Sequence, residues 1–168
     1  MPQPLEPIII EPHESDRLAD PAKGEFLLYD KDFPPEEDPR FAVVTEGEPL
    51  CKPHFGLSET AAWVFGRKPD WLRRMTKGKP WRNQTADGYT PMQTTPLLLQ
   101  GKPLIIRQVK GRGLGPQRRF TLADIERLAW ALYETGSIDG AELQRASAIL
   151  VAVARQYGFQ DDHEQEQA

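Results

Sequence analysis

Within eight residues the chain carries Arg67, Lys68, Asp70, Arg73 and Arg74. An arginine guanidinium is a planar fork that bonds both acceptors of a guanine edge at once, whereas a lysine ammonium offers a point charge suited to phosphate. Arg73 is the first candidate for a base or phosphate contact. A second set, Lys77, Lys79, Arg82, Lys110, Arg112, Arg118 and Arg119, falls in loops and at strand ends. Cations so placed meet phosphate oxygens and contribute affinity rather than specificity. The partner these residues imply is double-stranded DNA.

Other chemistries find little support. The three histidines, His13, His54 and His163, lie far apart, and none is paired with a nucleophile in a recognisable pattern. Cys51 and His54 are three residues apart, but Cys-x-x-His alone lacks the further ligands a metal site needs. The glycines of GRGLGP, residues 111 to 116, lack the GxGxxG spacing and the GK[ST] ending of phosphate-binding loops. No enzyme, cofactor or metal is therefore expected. A single cysteine permits no internal disulfide, which suits a reducing compartment.

A formal net charge of −4 looks unsuited to a nucleic-acid binder until it is divided along the chain. Residues 1 to 50 hold 4 Lys+Arg against 13 Asp+Glu, residues 51 to 120 hold 14 against 3, and residues 121 to 168 hold 3 against 9. A middle this basic can present a positive face to phosphate, because surface potential depends on where charges sit. The alternative is a basic surface that docks the acidic segments of the same molecule. In that case an acidic arm would compete with DNA.

The elements that must position these residues follow from patterning. The first 53 residues hold 10 of the 16 prolines, which opposes long helices and suggests an extended acidic arm, with FLLY (26 to 29) and FAVV (41 to 44) as candidate short strands. Ser58 is a candidate cap for a helix running through ETAAWVF to Gly66, with Ala61, Ala62 and Phe65 on one face. Pro69 opens a second helix, DWLRRM, with Trp71, Leu72 and Met75 inward and the cations outside. Trp63 and Trp71 fall on apolar sides and read as core residues. Residues 104 to 109, LIIRQV, form a β-branched strand, and a Gly-rich cationic loop follows before Arg118, Arg119 and Phe120 return the chain.

Thr121 with Asp124 reads as a capping box opening a helix with a stripe of Leu122, Ile125, Leu128, Ala129 and Leu132. A last helix, opened by Ser137 or Asp139, spans about Ala141 to Tyr157. Its apolar side suits packing on the core, or a homodimer through Leu143, Ile149, Leu150 and Val153.

LSETAAWVFGRKPDWLRRM and RRFTLADIERLAWAL, in this order, resemble the MerR-like and excisionase-like winged helix-turn-helix proteins of the kind found in actinobacterial phages. The likeness covers about residues 56 to 136. It implies an α+β fold, mainly α with a small β wing, whose second helix enters the major groove. It implies in turn a transcriptional regulator or an excisionase-like architectural factor. Three departures stand out. An acid-rich segment of about fifty residues precedes the motif, roughly twenty residues from Lys77 to Pro96 enlarge the step before the wing strand, and the last helix is too short for a long dimerising coiled coil, so neither effector sensing nor promoter twisting is implied.

The expected organisation is thus an arm over 1–53, a winged domain over 54–136, a C-terminal helix over 137–158 and a polar tail over 159–168. A protein-interaction or virion-associated scaffold that reuses the winged fold is the rival function. No run of residues approaches a membrane span, and the acidic amino terminus is unlike a signal peptide, so a cytoplasmic location is expected.

Overall fold

A computed structural model describes residues 26–41, 49–80, 92–110 and 117–159. The fold is mixed α and β. In chain order it runs β1 (His54–Gly56), α1 (Leu57–Glu59, continuing as a π-turn over Thr60–Val64), α2 (Pro69–Met75), β2 (Lys79–Pro80), β3 (Met92–Leu99), β4 (Lys102–Val109), β5 (Gln117–Thr121), α3 (Leu122–Glu134) and α4 (Gly140–Gln156). The strands form one antiparallel sheet in the order β1-β5-β4-β3-β2. The β part is thus a five-stranded sheet, larger than the small wing expected from LIIRQV alone.

Local sequence explains the elements. At the turn between β3 and β4, Gln100 and Gly101 both adopt positive φ, 54° and 77°, as a two-residue hairpin of matching twist requires. Its tip is tied to α3, because the Gln100 N–H donates to the Glu134 carboxylate at 3.1 Å. The β3–β4 register shifts between Thr94 and Leu98, around Pro96, which has no N–H to give to the ladder. Pro69 takes the first helical turn of α2, where the missing donor costs nothing.

Thr121 and Asp124 form the expected capping box at the start of α3, and the Asp139 side chain accepts from the Glu142 N–H at the start of α4. Helix α1 departs from expectation: its N-cap is Gly56, with Ser58 inside the helix and exposed. Ala62 is also exposed, whereas Ala61 and Phe65 are buried.

Alternation along the strands gives the sheet two faces. Thr95 and Leu97 of β3, Leu104 and Ile106 of β4 and Phe120 of β5 are buried, and the four apolar ones join Leu72 of α2 and the stripes of α3 and α4 in one core. Leu122, Ile125, Leu128, Ala129 and Leu132 are all at most 1% exposed. Leu143, Ile149, Leu150 and Val153 of α4 are buried in that same core. The homodimer surface expected from them is therefore not available: its residues pack within the chain.

The acidic segment is not a detached arm over its described part. Leu28, Phe33, Leu50 and Cys51 are buried. Residues 26 to 29 form no strand; instead the N–H groups of Leu27 and Leu28 donate to the Glu126 carboxylate at 2.5 and 2.8 Å. The expected strand at 41 to 44 lies outside the described residues beyond Phe41. Elsewhere the segment meets side chains of the sheet's outer face. Arg107 pairs with Asp30 and donates to the Pro49 carbonyl at 3.0 Å, and His54 bonds Glu36 at 2.8 Å. No helix among the described residues is long and apolar enough to cross a membrane.

Candidate nucleic-acid interface

Helix α2 buries one side and exposes the other. Leu72 is fully buried, and Trp71 and Met75 pack against the core, which fixes the rotation of the helix. The opposite side then carries Lys68, Asp70, Arg73 and Arg74, all exposed, with Lys77 just beyond the C-terminus. A shallow groove is lined by Arg67, Lys68, Asp70, Trp71, Arg73 and Arg74, so five of the sequence candidates share one surface with a tryptophan edge. Helix α1 precedes α2 through a turn at Gly66, whose φ of +61° suits glycine. The Arg67 N–H closes that turn on the Ala61 carbonyl at 2.9 Å.

The cations are not equivalent. Arg73 pairs with Asp70 one turn earlier, an exposed ion pair of small energetic consequence that restricts the guanidinium's orientation. Arg67 is held at the rim: it bonds Glu142 of α4 at 2.8 Å and lies 4.9 Å over the Trp71 ring. Lys110 is exposed at the end of β4. Arg82 and Arg112 lie outside the described residues, as does the side chain of Lys79.

Arg118 and Arg119, expected at phosphates, are engaged inside the protein. Arg118 donates to the Thr76 hydroxyl at 2.9 Å and to the Arg73 carbonyl at 3.4 Å. Burial, and after it the nearby Arg73 charge, lowers its pKa from the usual arginine value. Arg119 donates to His54 Nδ1 at 2.9 Å and to the His54 carbonyl at 3.2 Å, and lies 5.0 Å over the Phe41 ring. Its pKa too is lowered, chiefly by burial.

Because a guanidinium only donates, His54 Nδ1 must accept, and the imidazole proton sits on Nε2 facing Glu36. Burial pulls the His54 pKa down, outweighing the Glu36 hydrogen bond. Both ring nitrogens of His54 are thus occupied, by Arg119 and Glu36, and Cys51 is buried. Among the described residues no cluster of three or more His, Cys, Asp or Glu could hold a metal.

A second groove joins the first at Arg73. Gly56, Leu57, Ser58 and Glu59 of β1 and α1 line one side, and Gln117, Arg118 and Arg119 of β5 line the other. The start of α1, the outer side of α2 and the base of the β4–β5 hairpin therefore share a surface. Of the acidic segment's described residues, Asp30 and Glu36 meet Arg107 and His54 on the sheet's other face, not α2.

Several functional residues escaped the sequence reading. Arg107 looked like one more cation of a strand, and nothing local marks Gln93 or Gln108. Glu126 did leave a trace, as an acid four residues after Leu122 on the apolar side of α3. Compared with protein-family models, curated proteins and solved structures, the chain matches none.

Proposed function

We propose that the protein binds double-stranded DNA with α2 in the major groove, in the manner of a winged helix-turn-helix regulator or excisionase-like architectural factor. The observation that carries this reading is the arrangement of α2. A two-turn helix anchored by Leu72 and Trp71 presents Lys68, Arg73 and Arg74 outward, next to a groove that continues to the β4–β5 hairpin. A helix of this width fits the major groove, and a hairpin beside it can reach the adjoining backbone. Arg73, oriented by Asp70, reads a base edge; Lys68, Arg74, Lys77 and Lys110 meet phosphates. Arg118 and Arg119 serve the protein's own structure.

Fluorescence anisotropy of the full chain, on a duplex selected from a random pool and on a scrambled duplex across a salt series, tests the reading. A log–log salt slope of about −4 to −6 with a preference of roughly 100-fold or more for the selected duplex is expected. Replacing Arg73 and Arg74 together by alanine should abolish that preference and reduce the slope by about 1, Arg74 being the phosphate contact of the two. Absence of salt-dependent binding to either duplex would sink the reading in favour of a scaffold that contacts protein.

A further inference from the structure

A chain of polar groups crosses the interface between α2 and the sheet. Thr76, the residue that closes α2, is fully buried. Its hydroxyl donates to the Leu72 carbonyl at 2.7 Å and accepts from Arg118 of β5 at 2.9 Å. Its carbonyl accepts from Gln93 of β3 at 3.4 Å, and the same Gln93 nitrogen reaches the Gly78 carbonyl at 3.0 Å. Gln93 in turn accepts from Gln108 of β4 at 2.8 Å. Three strands are thereby tied to one helix end. Gly78 allows the close approach, because a Cβ there would overlap the Thr94 carbonyl.

Apolar contacts decide which side of α2 faces the sheet, but they tolerate small changes in its tilt. Directional hydrogen bonds among buried groups do not, since each group left unpaired has no water to replace its partner. From this we infer that Thr76, Gln93, Gln108 and Arg118 are positioning residues that fix the angle between α2 and the β4–β5 hairpin, and so set sequence preference more than overall DNA affinity. The inference rests on the reading of α2 as the groove-facing helix. A protein that touches a duplex at two places keeps its base contacts only while the two parts hold a fixed relation. Phosphate contacts are long-ranged and tolerant, and survive when that relation loosens.

The decisive variants change no charge. Thr76→Val keeps the side-chain shape and removes the hydroxyl; Thr76→Ser restores it. Each full-length variant is titrated against the selected and the scrambled duplex, with thermal melting alongside. Thr76→Val is expected to lower the preference about tenfold while leaving scrambled-duplex affinity and salt slope unchanged, and Thr76→Ser to recover most of it.

Should Thr76→Val melt too low to assay, Gln108→Leu removes the donor to Gln93 without changing charge and carries the same expectation. Undiminished preference in a folded variant would overturn the inference and leave the DNA reading standing. An equal loss on both duplexes together with a lowered melting temperature would do the same, by reducing the network to a stabilising role. If wild type binds neither duplex at any salt, the DNA reading falls and the inference falls with it.

Discussion

Glu126 is a carboxylate in the core of α3, fully buried, whose two oxygens accept the N–H groups of Leu27 and Leu28 at 2.5 and 2.8 Å. Burial pushes its pKa up to about 7, against the pull of those two bonds and of Arg127. Between the ordinary 4.5 and about 7 the folded chain therefore holds a proton that the unfolded chain releases. For an acid raised in this way, the stabilisation by the proton is fully present below the unfolded pKa and lost as pH rises through the folded one. At about 1.4 kcal/mol per pKa unit the whole effect is roughly 3 kcal/mol, of which about 2.5 kcal/mol falls between pH 5 and 8.

Glu126→Gln removes the titration. Its amide turns an NH2 toward one of the two backbone donors, a cost of about 1–3 kcal/mol that does not vary with pH. Urea unfolding of wild type and variant at pH 5, 6, 7 and 8 isolates the term. His54 acts in the opposite sense: its pKa is depressed, so its contribution is present above the unfolded value and lost as pH falls through the folded one, but it is common to both proteins and cancels in the difference. The wild-type advantage over Glu126→Gln should shrink by about 2.5 kcal/mol from pH 5 to pH 8. A difference constant to about 0.5 kcal/mol across that range would show Glu126 ionised throughout, with the backbone N–H groups and Arg127 outweighing burial.

Two other perturbations probe the joints that hold the site. Arg107→Ala strips Asp30 of its ion-pair partner, leaving it the Thr121 hydroxyl, and the Pro49 carbonyl of its donor, and removes the cation 3.7 Å from Asp124. A loss of about 3 kcal/mol is expected, with faster proteolysis within residues 26 to 53; unchanged proteolysis would show that Arg107 does not hold this segment. Gly78→Ala drives a methyl group into the Thr94 carbonyl and should separate β2 from β3, at a cost of 2 kcal/mol or roughly more, read as faster hydrogen exchange of the amides along β3.

Helices were more legible than the sheet, for a physical reason. The capping box at Thr121, Asp139 before α4, Pro69 at the head of α2 and the stripe of α3 are relations among residues three or four apart, and a linear sequence displays them directly. The sheet depends on distant pairings, such as His54 with Thr121 and Phe55 with Phe120, for which no local pattern selects the partner. Proline abundance opposed long helices in the acidic segment, and its described residues hold only short turns, Asp30–Asp32 and Pro39–Phe41. It said nothing of Leu28 and Leu50, whose burial depends on surfaces supplied by the rest of the chain. At the candidate site, the outward set on α2 followed from helical periodicity. The roles of Arg118 and Arg119 did not, because an arginine beside a loop looks the same whether its fork faces phosphate or a buried hydroxyl.

That last distinction changes what the basic middle of the chain means. Of its arginines, Arg107, Arg118 and Arg119 have their forks turned to internal carboxylates, carbonyls, a hydroxyl and an imidazole, so the excess of cations overstates the charge offered to a partner. Lys68, Arg73, Arg74, Lys77 and Lys110 point to solvent among the described residues. Thr76 and Gln93 tie α2 to one face of the sheet, while Asp30 and Glu36 are bound at the other by Arg107 and His54. Among the described residues, Asp30 and Glu36 are thus paired on the face of the sheet opposite α2. Exposed cations gathered on one side of a helix would turn that side toward a polyanion during approach even where the whole chain is negative. A net charge of −4 and an exposed cationic side of α2 are therefore compatible.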